Sequence, residues 1–434
     1  MIKIVDKSEF QYSILREKLL SLSEEYEIFS ILDSQKWSRD IYHSYDLLGA
    51  FGASAETNET NQGFSFEQLR KFYNKNHDWT FAFLSYDLKN EIEDLTSENY
   101  DGIHAPDLYF FNPKVLFTLK DKHLEIWVHE DYQDDAEISR QIQITIEENI
   151  PQTPPKKPQG IKIKHRLSQS DYISAIGIIR QHIKRGDIYE LNFCQEFYAD
   201  NTEIHPMSVF NELIKKSPTP FSAYFRKQEI YIMSSSPERY LKKRGTRIIS
   251  QPIKGTARRN PNKVEDAKVI AHLENDPKER AENIMIVDLV RNDLSRTAKK
   301  GSVKVDELCK VYSFEQVHQM ISSVSSELNP DFDFIDVLKT TFPMGSMTGA
   351  PKIRAMQLIE QYEKTKRGIY SGAIGYITPN GDFDFNVVIR TLIYNEVQKY
   401  LSFITGGAIT YLSDSKKEYE ESLLKAEAII EVLS

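Results

Sequence analysis

Apolar residues recur at helical spacing through residues 168–185, where Tyr172, Ile173, Ile176, Ile179 and Ile183 mark one face. Ser168 and Ser170 stand before this run as candidate caps, and Gly186-Asp187 closes it. Further helices are predicted over residues 264–297, broken at Asp276-Pro277, and over 334–341 and 416–433. A loop over 345–352 feeds another helix that runs to about Tyr362. Other runs are rich in aromatic and β-branched residues and predict strands: 27–32, 80–86, 114–119, 188–198, 240–249, 371–378, 385–394 and 399–409. Residues 221–225 and 229–233 read as a hairpin. Helices and strands arrive in clusters without regular β-α-β alternation, which favours an α+β fold.

Residues 56–63 are polar and predict a loop. Prolines 151, 154, 155 and 158 exclude regular structure and mark a connector over 151–160. It divides an N-terminal region, 1–150, from a second region, 161–434. The chain of 434 residues has a net charge of −9 and a pI near 5.7, which argues against a nucleic-acid partner. An anionic small substrate would need local cations or a metal. Cys194 and Cys309 form no disulfide framework and no metal-ligand spacing. The first residues lack the apolar core of a signal peptide, and no uncharged apolar run approaches a membrane span. These features predict a cytoplasmic protein of enzyme size with no membrane contact.

Candidate chemistry centres on residues 250–259. Pro252 and Gly255 flank Lys254; proline fixes one backbone angle, and glycine permits a close backbone approach. A lysine held near apolar neighbours or other cations can lose its proton and become a nucleophile, and Arg258 and Arg259 are close in sequence. A solvated surface turn fits the same residues. Glu279 and Glu282 share a helix face, as do Glu418 and Glu421, with Lys425 one turn further. Such carboxylates suit magnesium; solvated acidic faces and a Glu421–Lys425 ion pair fit equally. The loop over 345–352 could meet an anion at a helix N-terminus, yet it lacks the glycine and hydroxyl of a Walker loop. Gly406-Gly407-Ala408 is either a ligand-facing strand end or a bend. Arg390 lies in an apolar run and wants a partner, either a bound carboxylate or an internal ion pair. His318 precedes an apparent helical run and reads as structural.

Taken in order, the segments 186–189, 234–238, 252–256, 276–293, 345–351, 368–375, 388–390 and 418–425 resemble the chorismate-utilising enzymes. Within them the chain is similar to the component I branch of the aminodeoxychorismate synthases, strongly over 161–434 and weakly over 1–150. The resemblance implies two large β-sheets packed as a sandwich with helices outside and chorismate in a cleft. It implies Glu282 and Glu421 as direct magnesium ligands, with Glu279 and Glu418 acting through water, and the metal holding the ring carboxylate. Arg390 and Tyr370 are implied at the pyruvyl carboxylate, with Gly255, Thr256, Gly407 and Lys425 nearby. Glu238 is implied as the acid that helps the C4 hydroxyl leave.

Lys254 distinguishes branches of this family: anthranilate synthases and isochorismate-forming members carry alanine there. The implied mechanism is attack of a neutral Lys254 amine at C2 with loss of the C4 hydroxyl, then entry of ammonia at C4 with expulsion of the lysine. Isochorismate and salicylate synthases place a lysine base where this chain has Glu190. Two departures from the pattern stand out: related aminating enzymes carry glutamine at the position of Glu190, and a ring-contacting histidine at that of Gln319. Residues 31–34 resemble a tryptophan-binding segment of some members. The implied activity is amination of chorismate on the way to 4-aminobenzoate and folate. With no glutaminase motif in the chain, ammonia is expected from a separate glutaminase subunit or from solution. The alternatives are anthranilate synthase component I, which Lys254 disfavours, and a non-catalytic chorismate- or tryptophan-binding regulator, which would be expected to lose Glu238 or a metal carboxylate.

Overall fold

The structure, a computed structural model, describes residues 1–37, 40–57, 63–147 and 160–434. All but the last residue of the expected connector and most of the expected 56–63 loop lie outside the described residues. Every ladder is antiparallel, and the strand network divides at one long strand, Leu108–Lys120. Its later residues pair with Leu47–Glu56 and His123–Val128; its first residues pair with Thr80–Leu84.

From Leu47–Glu56 one sheet continues through Ile28–Asp33, Phe221–Lys227, Ile230–Ser236, Thr391–Asn395, Tyr400–Ile409 and Glu190–Ala199. From Thr80–Leu84 the other runs through Ala373–Ile377, Phe383–Asn386, Arg239–Arg244, Arg247–Gln251 and Val317–Glu327. Ile253–Arg258 and Lys304–Ser313 both pair with that last strand. Strands from both sides of the expected 150/161 boundary therefore share each sheet, Ile28–Asp33 joining Phe221–Lys227 in one and Thr80–Leu84 joining Ala373–Ile377 in the other.

The sheets pack face to face. Phe225 of the first meets Phe83, Phe111 and Tyr109 of the second edge-on, at centroid distances of 5.4, 5.8 and 6.0 Å. Ile232, Ile393 and Ile404 join the same core. Tyr12–Leu22, Ala136–Ile146 and Pro206–Lys216 cover the far face of the first sheet with a second apolar cluster. This is the expected α+β sandwich with helices outside.

Capping chemistry fixes the helices that matter for the site. Ser168 accepts from the Asp171 N–H, and left-handed Gly186 ends the helix Gln169–Arg185. The predicted break at Asp276-Pro277 is real. Asp276 ends Lys263–Asn275, then accepts from the N–H groups of Lys278 and Glu279 to start Pro277–Ser295.

Three expectations need correction. The run 240–249 is a hairpin of Arg239–Arg244 and Arg247–Gln251, turning at Gly245 with φ +60°. The run 385–394 is two strands, Phe383–Asn386 in one sheet and Thr391–Asn395 in the other. The residues after His318 form the strand Val317–Glu327, where the buried imidazole lies 2.8 Å from Asp266 Oδ1 and 2.8 Å from Ser313 Oγ.

Candidate active site

Two neighbouring segments cross from one sheet to the other, and each delivers a side chain. Residues 237–238 connect Ile230–Ser236 to Arg239–Arg244, and residues 387–390 connect Phe383–Asn386 to Thr391–Asn395. The crossings are tied together: the Val387 N–H donates to the Glu238 carbonyl at 3.0 Å, and the Ser235 N–H donates to the Arg390 carbonyl at 3.1 Å. Crossing away from a ladder demands unusual backbone, and Arg390 takes φ +51°. Tyr370 lies alongside, because the next residue, Ser371, donates its N–H to the Val388 carbonyl.

Glu238 is buried, with Oε1 accepting from Ser346 Oγ at 2.7 Å. Burial pushes its carboxyl up to about 7, against the opposing pull of Ser346, Lys254 and the Ile253 N–H. Arg390 has no ion-pair or hydrogen-bond partner for its guanidinium among the described residues, and burial pushes its pKa down. No internal ion pair to Arg390 is therefore formed among the described residues. Tyr370 is buried, its hydroxyl 3.9 Å from Cys194 Sγ.

Lys254 sits on the strand Ile253–Arg258, where the register against Val317–Glu327 slips between Ile253 and Thr256. Gly255 takes φ +93° at this slip, and a Cβ there would lie 3.1 Å from Glu279 Oε2. The Lys254 ammonium is 3.1 Å from Glu190 Oε1, with both side chains largely shielded from solvent. Glu190 Oε2 has no hydrogen-bond partner among the described residues. Burial opposes the charge on Lys254, but Glu190, Glu282 and Glu238 outweigh it and hold the pKa above the usual lysine value. The expected depression by Arg258 and Arg259 is therefore not found in the free protein. Both arginines are exposed, and Arg259 pairs with Asp266 at 3.0 Å. Thr256 is likewise exposed, opposite Gln319 in the ladder; Gln319 is buried and its Oε1 has no partner among the described residues.

The two acidic pairs, far apart in sequence, converge. Lys278 Nζ lies 3.8 Å from Glu282 Oε1 and 3.9 Å from Glu418 Oε1. A Cβ on Gly407 would lie 3.6 Å from both Glu418 Oε2 and Glu421 Oε1, so this glycine borders the carboxylates. Its neighbour Gly406 is small for packing, since a Cβ there would strike the Phe193 carbonyl at 2.1 Å. Lys425 pairs with Glu421 at 2.8 Å and donates to the Gly406 carbonyl at 2.8 Å.

Glu282 and Glu418 are buried, Glu279 is half-buried and Glu421 is exposed. Burial, together with the Glu190 charge, pushes Glu282 up to about 7, and burial also raises Glu279 and Glu418. Glu421 is held below the usual range: partial loss of hydration beside its neighbours opposes this, and the Lys425 ion pair outweighs it. Glu282 Oε1 is buried without a hydrogen-bond partner among the described residues. Carboxylates on two adjoining helices, one with an orphaned oxygen, are of the chemical kind that suits a hard divalent cation keeping water in its shell, but no three of the four glutamates bring oxygens within 4.8 Å of one another.

The sequence singled out Lys254, Glu238, Arg390, Tyr370 and the four glutamates. The fold sets Lys254 beside Glu190, within reach of the charges of Glu238 and Glu282, and brings the helices of Glu282 and Glu418 together at Lys278, whereas Arg390 and Tyr370 form no hydrogen bond or ion pair with that group among the described residues. Sequence reasoning missed Lys278 and Ser346. Lys278 stands four residues before Glu282, a spacing visible in the sequence; nothing local marks Ser346 as the partner of Glu238. The loop over 345–352 spends its lysine internally, with Lys352 donating to Asp293 at 2.6 Å and to the Thr341 carbonyl. Of residues 31–34, Leu32, Asp33 and Ser34 border a separate cavity of about 70 Å³, in which Arg239 is held by Asp40 and Asp384 at 2.6 and 2.8 Å.

A family model described as "chorismate binding enzyme" matches residues 28–431. The chain is 31% identical over 398 residues to aminodeoxychorismate synthase component 1 of Bacillus subtilis (strain 168), covering 90% of this chain and 82% of that one. It is also 31% identical over 359 residues to anthranilate synthase component 1 of Lactococcus lactis subsp. lactis (strain IL1403), covering 81% and 78%. The fold superposes on anthranilate synthase component I from Streptococcus pneumoniae TIGR4 with a TM-score of 0.78 and 26% identity, covering 90% and 93% of the two chains.

Proposed function

Because the chain belongs to the chorismate-binding enzyme family, we propose that it aminates chorismate at C4 with ammonia, giving 4-amino-4-deoxychorismate for 4-aminobenzoate and folate synthesis. Identity over most of the chain does not choose between the aminodeoxychorismate and anthranilate relatives, since both stand at 31%, although an aminodeoxychorismate synthase reaches 39% over 66% of the chain. The observation that carries the choice is local. Lys254, where anthranilate synthases carry alanine by the resemblance above, reaches into the cleft beside Glu190 and is acted on by Glu238 and Glu282.

Arg390 offers its unpaired guanidinium to the pyruvyl carboxylate, with Tyr370 beside it. Glu282 and Glu421, with Glu279 and Glu418 through water, would hold magnesium. When bound, that ion would anchor the ring carboxylate and offset the negative charge of the cleft. Glu238, protonated up to about pH 7, gives its proton to the departing C4 hydroxyl. Lys254 holds its proton in the free protein, so substrate entry has to release it, and Glu190 at 3.1 Å is placed to receive it. The freed amine bonds to C2 as the ring double bonds shift and the C4–O bond breaks, releasing water. Ammonia then bonds to C4, the double bonds shift back, and the Lys254 amine leaves C2.

The name component 1, carried by the Bacillus relative, implies a second component. A separate glutaminase subunit delivering ammonia is the partner we assign to this chain. Purified protein given chorismate, magnesium and ammonium should form 4-amino-4-deoxychorismate. Without ammonium, the peptide containing Lys254 should gain mass, and Lys254→Ala should not. Anthranilate as the product, or full amination by Lys254→Ala together with no adduct in the wild type, overturns the reading.

A further inference from the structure

The ammonium of Lys278 lies between two buried carboxylates on different helices, 3.8 Å from Glu282 and 3.9 Å from Glu418. Both distances are long for ion pairs, and no hydrogen bond from this ammonium to either carboxylate is formed. The side chain is partly open to solvent, at 41%. Glu279 and Glu421 also attract it. One cation thus stands between the carboxylates of two helices without a hydrogen bond to either.

We propose that Lys278 is a tethered counter-ion that balances this carboxylate cluster in the metal-free protein and is displaced when a divalent cation enters. The inference rests on the reading of the four glutamates as a magnesium site. Its physical basis is charge. Closely packed carboxylates repel unless a cation is near, and the first turn of the helix Pro277–Ser295, held by the Asp276 cap, fixes where Lys278 starts. The long four-carbon stem lets the ammonium swing outward at little cost. Lys278 then tunes metal affinity downward: the incoming ion must displace a charge already present. Binding of metal without substrate is weak for that reason, and the cluster does not fly apart when empty.

The test is magnesium titration by calorimetry, without substrate, on wild type, Lys278→Met, Lys278→Gln and Glu282→Gln. Lys268→Met, which removes an exposed lysine on the preceding helix, controls for net charge. Circular dichroism checks that each variant is folded. Lys278→Met and Lys278→Gln should bind magnesium about tenfold more tightly than wild type or Lys268→Met, since one competing unit charge is gone. Without metal they should melt at lower temperature than wild type, and added magnesium should close that gap. Unchanged affinity in both Lys278 variants, with Glu282→Gln abolishing binding, overturns the counter-ion role and leaves the metal site standing. Binding unaffected by Glu282→Gln, or absent from every folded protein, overturns the metal reading and this inference with it. Binding that appears only in the Lys278 variants supports both.

Discussion

Arg390 is the residue whose chemistry reads most directly from its surroundings. A guanidinium with no partner among the described residues, in a shielded position, costs the fold free energy, and a substrate carboxylate can supply what is missing. Arg390→Met should therefore leave thermal stability equal or higher while raising KM for chorismate by about 100-fold, the scale of losing a charge-paired hydrogen bond. A fall in stability with unchanged KM would make Arg390 a structural residue. Glu238 gives a second prediction. Its carboxyl is pushed up to about 7 from an ordinary 4.5, so between these values the folded state holds a proton that the unfolded chain has released. Stability contributed by that proton is complete below about pH 4.5 and declines as pH rises through about 7. A tenfold difference in proton affinity between the folded and unfolded chain is worth about 1.4 kcal/mol, so Glu238→Gln should flatten the decline by up to about 3 kcal/mol. Denaturant unfolding of metal-free protein from pH 4.5 to 8 measures it; parallel curves would mean that Glu238 titrates normally. Lys254, Glu238 and Arg390 could be picked out from residue type and order alone. The raised pKa of Lys254 could not, because it depends on three glutamates that approach only in the folded chain.

Among the elements, helix limits were readable and strand limits less so. Ser168, Gly186 and Asp276 announce helix ends through local hydrogen bonding. A strand that leaves one sheet for another stays apolar throughout, since it is buried on both sides of the crossing. Residues 385–394 therefore look continuous although Arg390 turns the backbone between two sheets. Gly255 marks a comparable point on the strand Ile253–Arg258. An alanine there would take a left-handed backbone and press its Cβ to 3.1 Å from Glu279 Oε2. Gly255→Ala should cost about 1–2 kcal/mol in denaturant unfolding and weaken magnesium binding measured by calorimetry. Wild-type affinity in this variant would show that Glu279 lies outside the metal's reach.

At the scale of the whole molecule, the site draws on both sheets: Glu190 and Lys425 flank one, Lys254 and Glu282 the other, and Glu238 and Arg390 the crossings between them. Long-range pairing of this kind leaves little trace in local sequence, which is why the convergence was implied by resemblance rather than by spacing. These two shared sheets have a consequence for a severed chain. Ile28–Asp33 is bonded between Leu47–Glu56 and Phe221–Lys227, and Thr80–Leu84 between Leu108–Lys120 and Ala373–Ile377. A protease site engineered between residues 147 and 160, once cut, should yield two fragments that elute as one particle and part only in denaturant. Either half expressed alone should expose unpaired strand edges and precipitate, whereas the two co-expressed as separate polypeptides should reassemble by mutual templating. A cut protein that separates in native buffer would show that backbone continuity, rather than shared sheets, holds the halves together.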